Sequence, residues 1–521
     1  MSNRPKRIRI TNELGKPQTL ADGSEQFVSL GRGERIVILG LGPDPAALAD
    51  ILPAQDVAFI ECPDFEAQMP PEWVAAVPRS WARLAPEAIT PELAQASRFV
   101  QYRQAARLFP GFWGPILARV QWGFLAGRVP AARTAGEVWL PARQSSLLIP
   151  ELKAGLEACG RSVRLVAPEI LSRELPRLLA ESRPELLLSV NFAGLDPLGE
   201  AFHLLREAGV EVAAWCVDNP FHLLSGMKSG WWRQAALLVT DDSFIPLLRE
   251  HGAQRLLHMP LAAWPELFAA APGETGDPDQ GVADRLVFVG RAQFPAKRGF
   301  FAGLDLPDAA WRESLDKLDL GERPDFLWWK KRLGIGRLWP ESDVRRAGLG
   351  ADECARELRG RCLRTAARDV PLTVFGDTLW REAAPEATDL RPEVDYYGPL
   401  RHIYAQAEAC LNVTSLLLPA GLNQRHFDVW AAGGALITDS SPGLKLFPEE
   451  LCREIRFRWP EEIGGIFKRL ARDGTLRADI IRAWREHILA EHTYRRRVER
   501  LLNWLESRKS SQGIDLAGQG G

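Results

Sequence analysis

The run Asn423-Gln424-Arg425-His426-Phe427-Asp428 follows Gly421 and leads into an apolar segment, the pair Gly433-Gly434 and the strand-like sequence ALITD at 435–439. A helix that only packs can start on a single Ser or Asp. This start carries an arginine and two amides. Unpaired N–H groups at a helix start lie at the positive end of its dipole and suit an anion. Arg425 adds a permanently charged fork matched to phosphate. Asn423 shares this start, and Asp428, one turn in, offers acceptor oxygens for a ribose hydroxyl pair. The double glycine then ends the helix. The pattern suggests a cradle for a diphosphate. The competing reading is local, with Arg425 paired to Asp428 at i, i+3 and His426 merely packed.

Other residues of this kind stand where strand-like runs end. They are Gly290 with Arg291, Gly376 with Asp377, Gly398 with Pro399, and Asn412. Glycine there permits close backbone approach to a ligand. Asp218 closes the run VEVAAWCVD and is the first candidate for a general base, with His222 the second. An Asp before Asn-Pro also forms a turn of its own, so Asp218 carries both readings. Asp241 and Asp242 read as caps for a helix starting at 243. No carboxylate pair is spaced like a DxD metal site, and no metal ligands are expected.

These residues need elements to hold them. Apolar runs alternate with helix-length amphipathic segments through most of the chain, the pattern of parallel sheets with crossover helices. One series opens at 35–61, where Gly40 and Gly42 are spaced as in a dinucleotide-binding turn but Pro43 and Pro45 break the pattern. Residues 91–130 read as helical and tryptophan-rich, with core the first reading and contact with a membrane surface or a partner the second. A cleaner series runs from 135 to about 260, with VDNPFH (217–222) beyond a strand end, where doubly wound sheets bind ligands. The segment APGETGDPDQGVAD (271–284) reads as a linker. A third series follows from 285, including VDYYGPL (394–400) as a strand, with a mostly helical elaboration over 296–366.

Composition narrows the class. The chain has 521 residues, net charge −2, 46% hydrophobic and 25% charged residues, ordinary for a globular protein of several domains. Near-neutral charge excludes a dedicated nucleic-acid binder. Seven scattered cysteines, with no CxxC, read as reduced thiols. No apolar run has the length of a membrane span or follows the basic N-terminus as a signal peptide would. A cytoplasmic location is expected. The eighteen tryptophans show no repeat period.

Taken in order, AAWCVDNP, LLVTDDSFIPLLREHGA, LVFVGR, LTVFGD, VDYYGPL, GLNQRHFDVWAAGGALITD and EHTYRRRVERLL resemble the CgeB-like, spore-maturation-type glycosyltransferases over roughly 135–505. The resemblance implies a GT-B fold, an α/β arrangement of two doubly wound, Rossmann-like domains facing a cleft, here with an N-terminal α/β extension. It implies an acceptor domain over 135–270, a linker over 271–284, a nucleotide-sugar donor domain over 285–485 with a helical insertion at 296–366, a closing helix over 486–507 and a disordered tail at 508–521. Residues 1–134 fall outside it and read as an α/β module with a helical annex. It implies transfer of a sugar from a nucleoside-diphosphate donor to a glycan, protein or small-molecule acceptor, without cofactor and, on the charge pattern above, without metal. Asp428 stands where the family has a glutamate on the donor ribose, Gly290 and Arg291 in its first donor-domain loop, and Gly398 near the donor base or diphosphate. The second glutamate of retaining relatives falls on Ala420. That departure keeps open a non-catalytic nucleotide-sugar or glycan-binding protein. A sugar-nucleotide epimerase on the same fold is the other alternative.

Overall fold

The computed structural model describes residues 8–52, 56–130, 132–269, 280–294 and 296–517, with side chains described to Arg508. Three sheets organise the chain. The first, five-stranded, has the order Phe27–Leu30, Ser97–Tyr102, Arg35–Leu39, Val57–Ile60, Ala82–Arg83, parallel except for its first strand. Its Gly40–Gly42 turn is closed by the protein itself, with Leu41 N–H donating to Glu61 Oε2 at 2.7 Å and Trp73 Nε1 to Gly42 O at 2.8 Å. The strand Ser97–Tyr102 corrects the reading of 91–130 as helical. Six residues between two proline-started helices are too few to show a period, and their pairing to both neighbours decides the outcome. The helix Pro110–Leu125 buries Trp113, Ile116 and Val120 as core.

The second sheet is all parallel, in the order Arg255–His258, Ala236–Val239, Glu211–Cys216, Leu186–Val190, Glu137–Pro141, Ser162–Val166. The third is also all parallel: Asp389–Arg391, Leu372–Phe375, Leu286–Val289, Ala409–Asn412, Leu436–Asp439, Arg456–Phe457. Their central strands, Leu186–Val190, Ala236–Val239, Leu286–Val289 and Ala409–Asn412 among them, are largely apolar and buried, as in sheets covered by helices on both faces. Each sheet has one place where the strand order reverses, beside Pro141 and Val190 in one, and beside Val289 and Asn412 in the other. Ligands of doubly wound sheets bind outside the strand ends at such switch points. Two Rossmann-like domains plus an N-terminal α/β module are the fold class expected from sequence.

The third sheet corrects one strand. Pairing to Leu372–Phe375 falls on Asp389–Arg391, while 394–400 turns, and Pro399 caps the helix Leu400–Gln406. The segment after Leu286–Val289 forms helices ending in the long Val344–Asp369. Although it interrupts the third sheet in sequence, its Phe326, Trp329, Val344, Ala347 and Ala351 share one core with Phe221, Trp231 and Phe244 of the second domain. The C-terminal helix starts at Tyr494, packs on Ile149–Ala158 of that domain and runs to Ala517, past the expected end at 507. No proline interrupts it, so the residues expected as a tail from 508 continue the helix. Residues 518–521, and residues 271–279 of the linker expected over 271–284, lie outside the described residues.

Candidate functional site

Between the two switch points lies a cavity of about 460 Å³, walled by Leu147, Leu148, Val217 and Asp218 of one domain and by Val289, Gly290, Tyr396, Thr414, Ser415 and Asn423–Arg425 of the other. A second cavity of about 660 Å³ adjoins it and shares Asp218, Arg359, Ser415 and Leu418 with it.

Arg425 straddles the switch point of the third sheet. Its Nη1 donates to Val289 O at the end of one diverging strand, and its Nε donates at 2.8 Å to Asn412 Oδ1 at the end of the other. Phe288 lies under the guanidinium, 5.7 Å from ring centre to Cζ. Asn412 Oδ1 also accepts from Asn423 Nδ2 at 2.7 Å, and Asn412 Nδ2 donates to Thr438 Oγ1 at 3.0 Å. His426, 1% exposed, completes this network through Nε2 beside Thr438 Oγ1, and its Nδ1 meets the Asn423 backbone. Burial lowers its pKa to about 4, so the ring is neutral. The polar start at 423–426 therefore fixes the helix Arg425–Ala431 onto two strand ends, and within it only Arg425, Asn423 and Gln424 wall the cavity.

Arg359, on the helix Val344–Asp369, reaches the same cavity and walls both chambers. Its Nη2 donates to Ala292 O at 3.1 Å, and its Nε is buried without a partner. Among the described residues no carboxylate lies within ion-pair distance of Arg359 or of Arg425. Burial lowers the pKa of both, and for Arg359 the nearby Arg425 charge lowers it further against the pull of Asp352. Two cations without a counter-ion, facing one cavity in low dielectric, favour a bound anion.

Asp218 stands where the two chambers meet. Asn191, at the second sheet's switch point, donates from Nδ2 to Asp218 Oδ2 at 2.7 Å and accepts from Val217 N at 2.9 Å. Burial raises the Asp218 pKa, with the Asn191 bond opposing. His222 also lines the larger chamber, but Phe300, Phe301 and Phe326 ring it at 5.2, 6.0 and 5.9 Å. Its buried Nε2 lies against the backbone of Gly348, which leaves no room for a substrate hydroxyl there. Burial, reinforced by Arg345, holds it neutral with a pKa of about 3.

The remaining candidates are placed as follows. Gly290 walls the smaller chamber, and Arg291 walls the larger while bound to Glu393 at 2.5 Å. Gly376 lies behind the wall, where a Cβ would sit 2.3 Å from Gly290 O. Gly398 and Asn412 are on neither wall. Asp428 is wholly buried and accepts from Tyr396 OH at 2.7 Å; it pairs with neither Arg425 nor the cavity. Asp241 does cap, accepting from Ser243 N at 2.9 Å, and also accepts from Ala420 N across the cleft at 2.9 Å. Sequence reasoning missed Arg359 and Asn191. Arg359 was legible: it lies in the apolar stripe of Ala355, Cys362, Leu363 and Ala366 and has no acidic residue three or four positions away. No group of three or more potential metal ligands occurs among the described residues, and no helix there is long and apolar enough to cross a membrane.

A family model described as glycosyl transferase-like matches residues 356–503. That match spans Arg359, the Arg425 network and the start of the closing helix, so the C-terminal part of the chain carries a glycosyl transferase-like domain. None of the curated proteins matches the chain. Among solved structures it is similar to HepE of Anabaena in complex with UDP and glucose, at 10% identity and TM-score 0.43, covering 71% of this chain and 99% of that one. It is likewise similar to a glycosyltransferase from Rickettsia africae ESF-5, at 8% identity and TM-score 0.42, covering 71% of this chain and 97% of that one.

Proposed function

We propose that the protein transfers a sugar from a nucleoside-diphosphate donor to a hydroxyl acceptor, without a metal ion. The observation that carries this reading is the pair Arg359 and Arg425, two guanidiniums with no carboxylate at ion-pair distance among the described residues, converging beside the third sheet's switch point. They supply the charge that a departing diphosphate needs, aimed where negative charge grows as the sugar leaves. Asp218, at the junction of the chambers, takes the acceptor proton. The acceptor oxygen bonds to the sugar carbon, the bond from that carbon to the diphosphate breaks, and its electron pair leaves on the diphosphate. The glycosyl transferase-like match over the donor half, and the ordered motifs resembling CgeB-like enzymes, support the same reading.

Calorimetric titration tests it. UDP, GDP and TDP, each with its bare nucleoside and with EDTA present, are compared on the wild type and on Arg359→Ala. Hydrogen bonds to charged groups contribute about 1.5–3 kcal/mol, so the variant should bind its diphosphate roughly 10–100-fold more weakly and the nucleoside unchanged. Arg425→Ala should show the same selectivity, with some loss of stability from the two strand ends it ties. Equal losses for diphosphate and nucleoside, or binding that vanishes with EDTA, would overturn the proposal.

A further inference from the structure

The larger chamber, about 660 Å³, has few polar groups left to offer a ligand. Arg291 is bound by Glu393 at 2.5 Å and Asp352 by Lys297 at 2.5 Å. Asn219 gives its amide to Leu417 O at 3.0 Å across the cleft, and its side-chain oxygen accepts from Phe221 N at 3.0 Å. Ser415 Oγ accepts from Leu417 N at 3.3 Å. What remains on the wall is Leu223, Phe294, Phe300, Leu417 and Leu418, with the amide of Gln293 and the phenylalanine-ringed His222 beside them and Asp218 and Arg359 at the opening to the smaller chamber. A saccharide entering here would have to desolvate many hydroxyls that find no partner, each at a cost. A compound with one hydroxyl on an apolar body loses nothing of that kind and gains by burial. Its hydroxyl needs a single acceptor, and Asp218 is in place to be it.

We propose that this chamber is the acceptor site and that its occupant is a hydroxyl compound with an apolar body, aromatic or aliphatic, in preference to a sugar chain. The proposal rests on the transferase reading for the fate of that hydroxyl: its proton passes to Asp218 as its oxygen bonds to the sugar carbon. The size and lining of the chamber do not depend on that reading. The helices of 296–366 supply Phe300, Asp352 and Arg359, so the segment that interrupts the third sheet closes one side of the chamber.

Binding of three probes to the full chain tests the site without turnover. The intrinsic fluorescence of 4-methylumbelliferone reports its binding directly, with and without UDP, GDP or TDP; 1-decanol and maltohexaose are added as competitors. Saturable binding, displaced by 1-decanol and not by maltohexaose, is expected. Phe300→Ser and, as a second variant on another element, Leu223→Asn should each weaken it at least tenfold. Displacement by maltohexaose, absence of binding, or normal binding in both variants would overturn the proposal. The diphosphate titration distinguishes the two readings. If diphosphates bind and the apolar probes do not, the chamber proposal alone falls. If the probes bind as expected and diphosphates do not, the transferase reading falls and the ligand class of the chamber stands.

Discussion

Asn191 holds a left-handed backbone at φ 52°, a conformation that Asn adopts more readily than most residues. From there its amide brackets Asp218, accepting from the backbone before the carboxylate and donating to the carboxylate itself. Asn191 acts through Asp218 and is a positioning residue. Asp218→Asn should leave diphosphate affinity unchanged and lower transfer by about 10²–10⁴, the usual contribution of a placed proton acceptor. Asn191→Ala is the subtler test. Its hydrogen bond lowers the Asp218 pKa against the burial that raises it, so removing the bond should move the acidic limb of kcat/KM to higher pH. A general loss of activity with an unmoved limb would make Asn191 structural only. Asp218 was legible in the sequence because it ends an apolar run before Asn-Pro. Asn191 was not, since the partner that gives it meaning lies 27 residues away on a neighbouring strand.

The helix Val344–Asp369 joins the domains and carries Arg359 to the cleft. Its passage over the second domain depends on Gly348, where an added Cβ would lie 1.9 Å from His222 Nε2. The imidazole is ringed by phenylalanines and cannot swing aside cheaply. Gly348→Ala should therefore cost about 1–3 kcal/mol, the usual range for overpacking a filled site, and less in a His222→Ala background that empties the space. Urea denaturation of the four proteins gives the coupling. Equal losses in both backgrounds would place the cost in the helix itself. This element also shows what a sequence yields. Its length and apolar stripe were readable, and so was an arginine set within that stripe. That the helix completes the core of the preceding domain was not, because no periodicity records which distant surface a stripe will meet. The same limit hid Ser97–Tyr102, a six-residue strand between helices, and placed a strand at 394–400 where local composition mimics one.

Among the polar contacts that tie the domains across the whole molecule, one group is unusual in its charge. Glu151, on the second domain's helix Ile149–Ala158, and Asp428, on the third sheet's helix Arg425–Ala431, are both wholly buried. Each takes one hydroxyl from an adjacent pair of tyrosines: Tyr397 OH donates to Glu151 at 2.8 Å and Tyr396 OH to Asp428 at 2.7 Å. Leu148 N–H reaches Tyr397 OH at 3.0 Å, so the tyrosines bridge the domains. Glu151 Oε1 and Asp428 Oδ1 have no partner, and no cation pairs with either carboxyl among the described residues. Burial raises the Glu151 pKa to about 6, and burial, with Glu151 nearby, raises that of Asp428 well above the carboxylate range. A carboxyl whose pKa is raised by folding contributes stability that is full below its unfolded value and is lost as pH climbs through the folded one. For Glu151 that window runs from 4.5 to about 6, a loss of roughly 2 kcal/mol that is complete by about pH 7. Glu151→Gln keeps an acceptor for Tyr397 and cannot ionise. Urea unfolding at intervals from pH 5 to 8 should show the wild type losing stability relative to this variant, with the gap opening between pH 5 and 7 and constant above. Parallel curves would mean that water or a bound cation already compensates the Glu151 charge in solution, and that the domains are not held together by its proton.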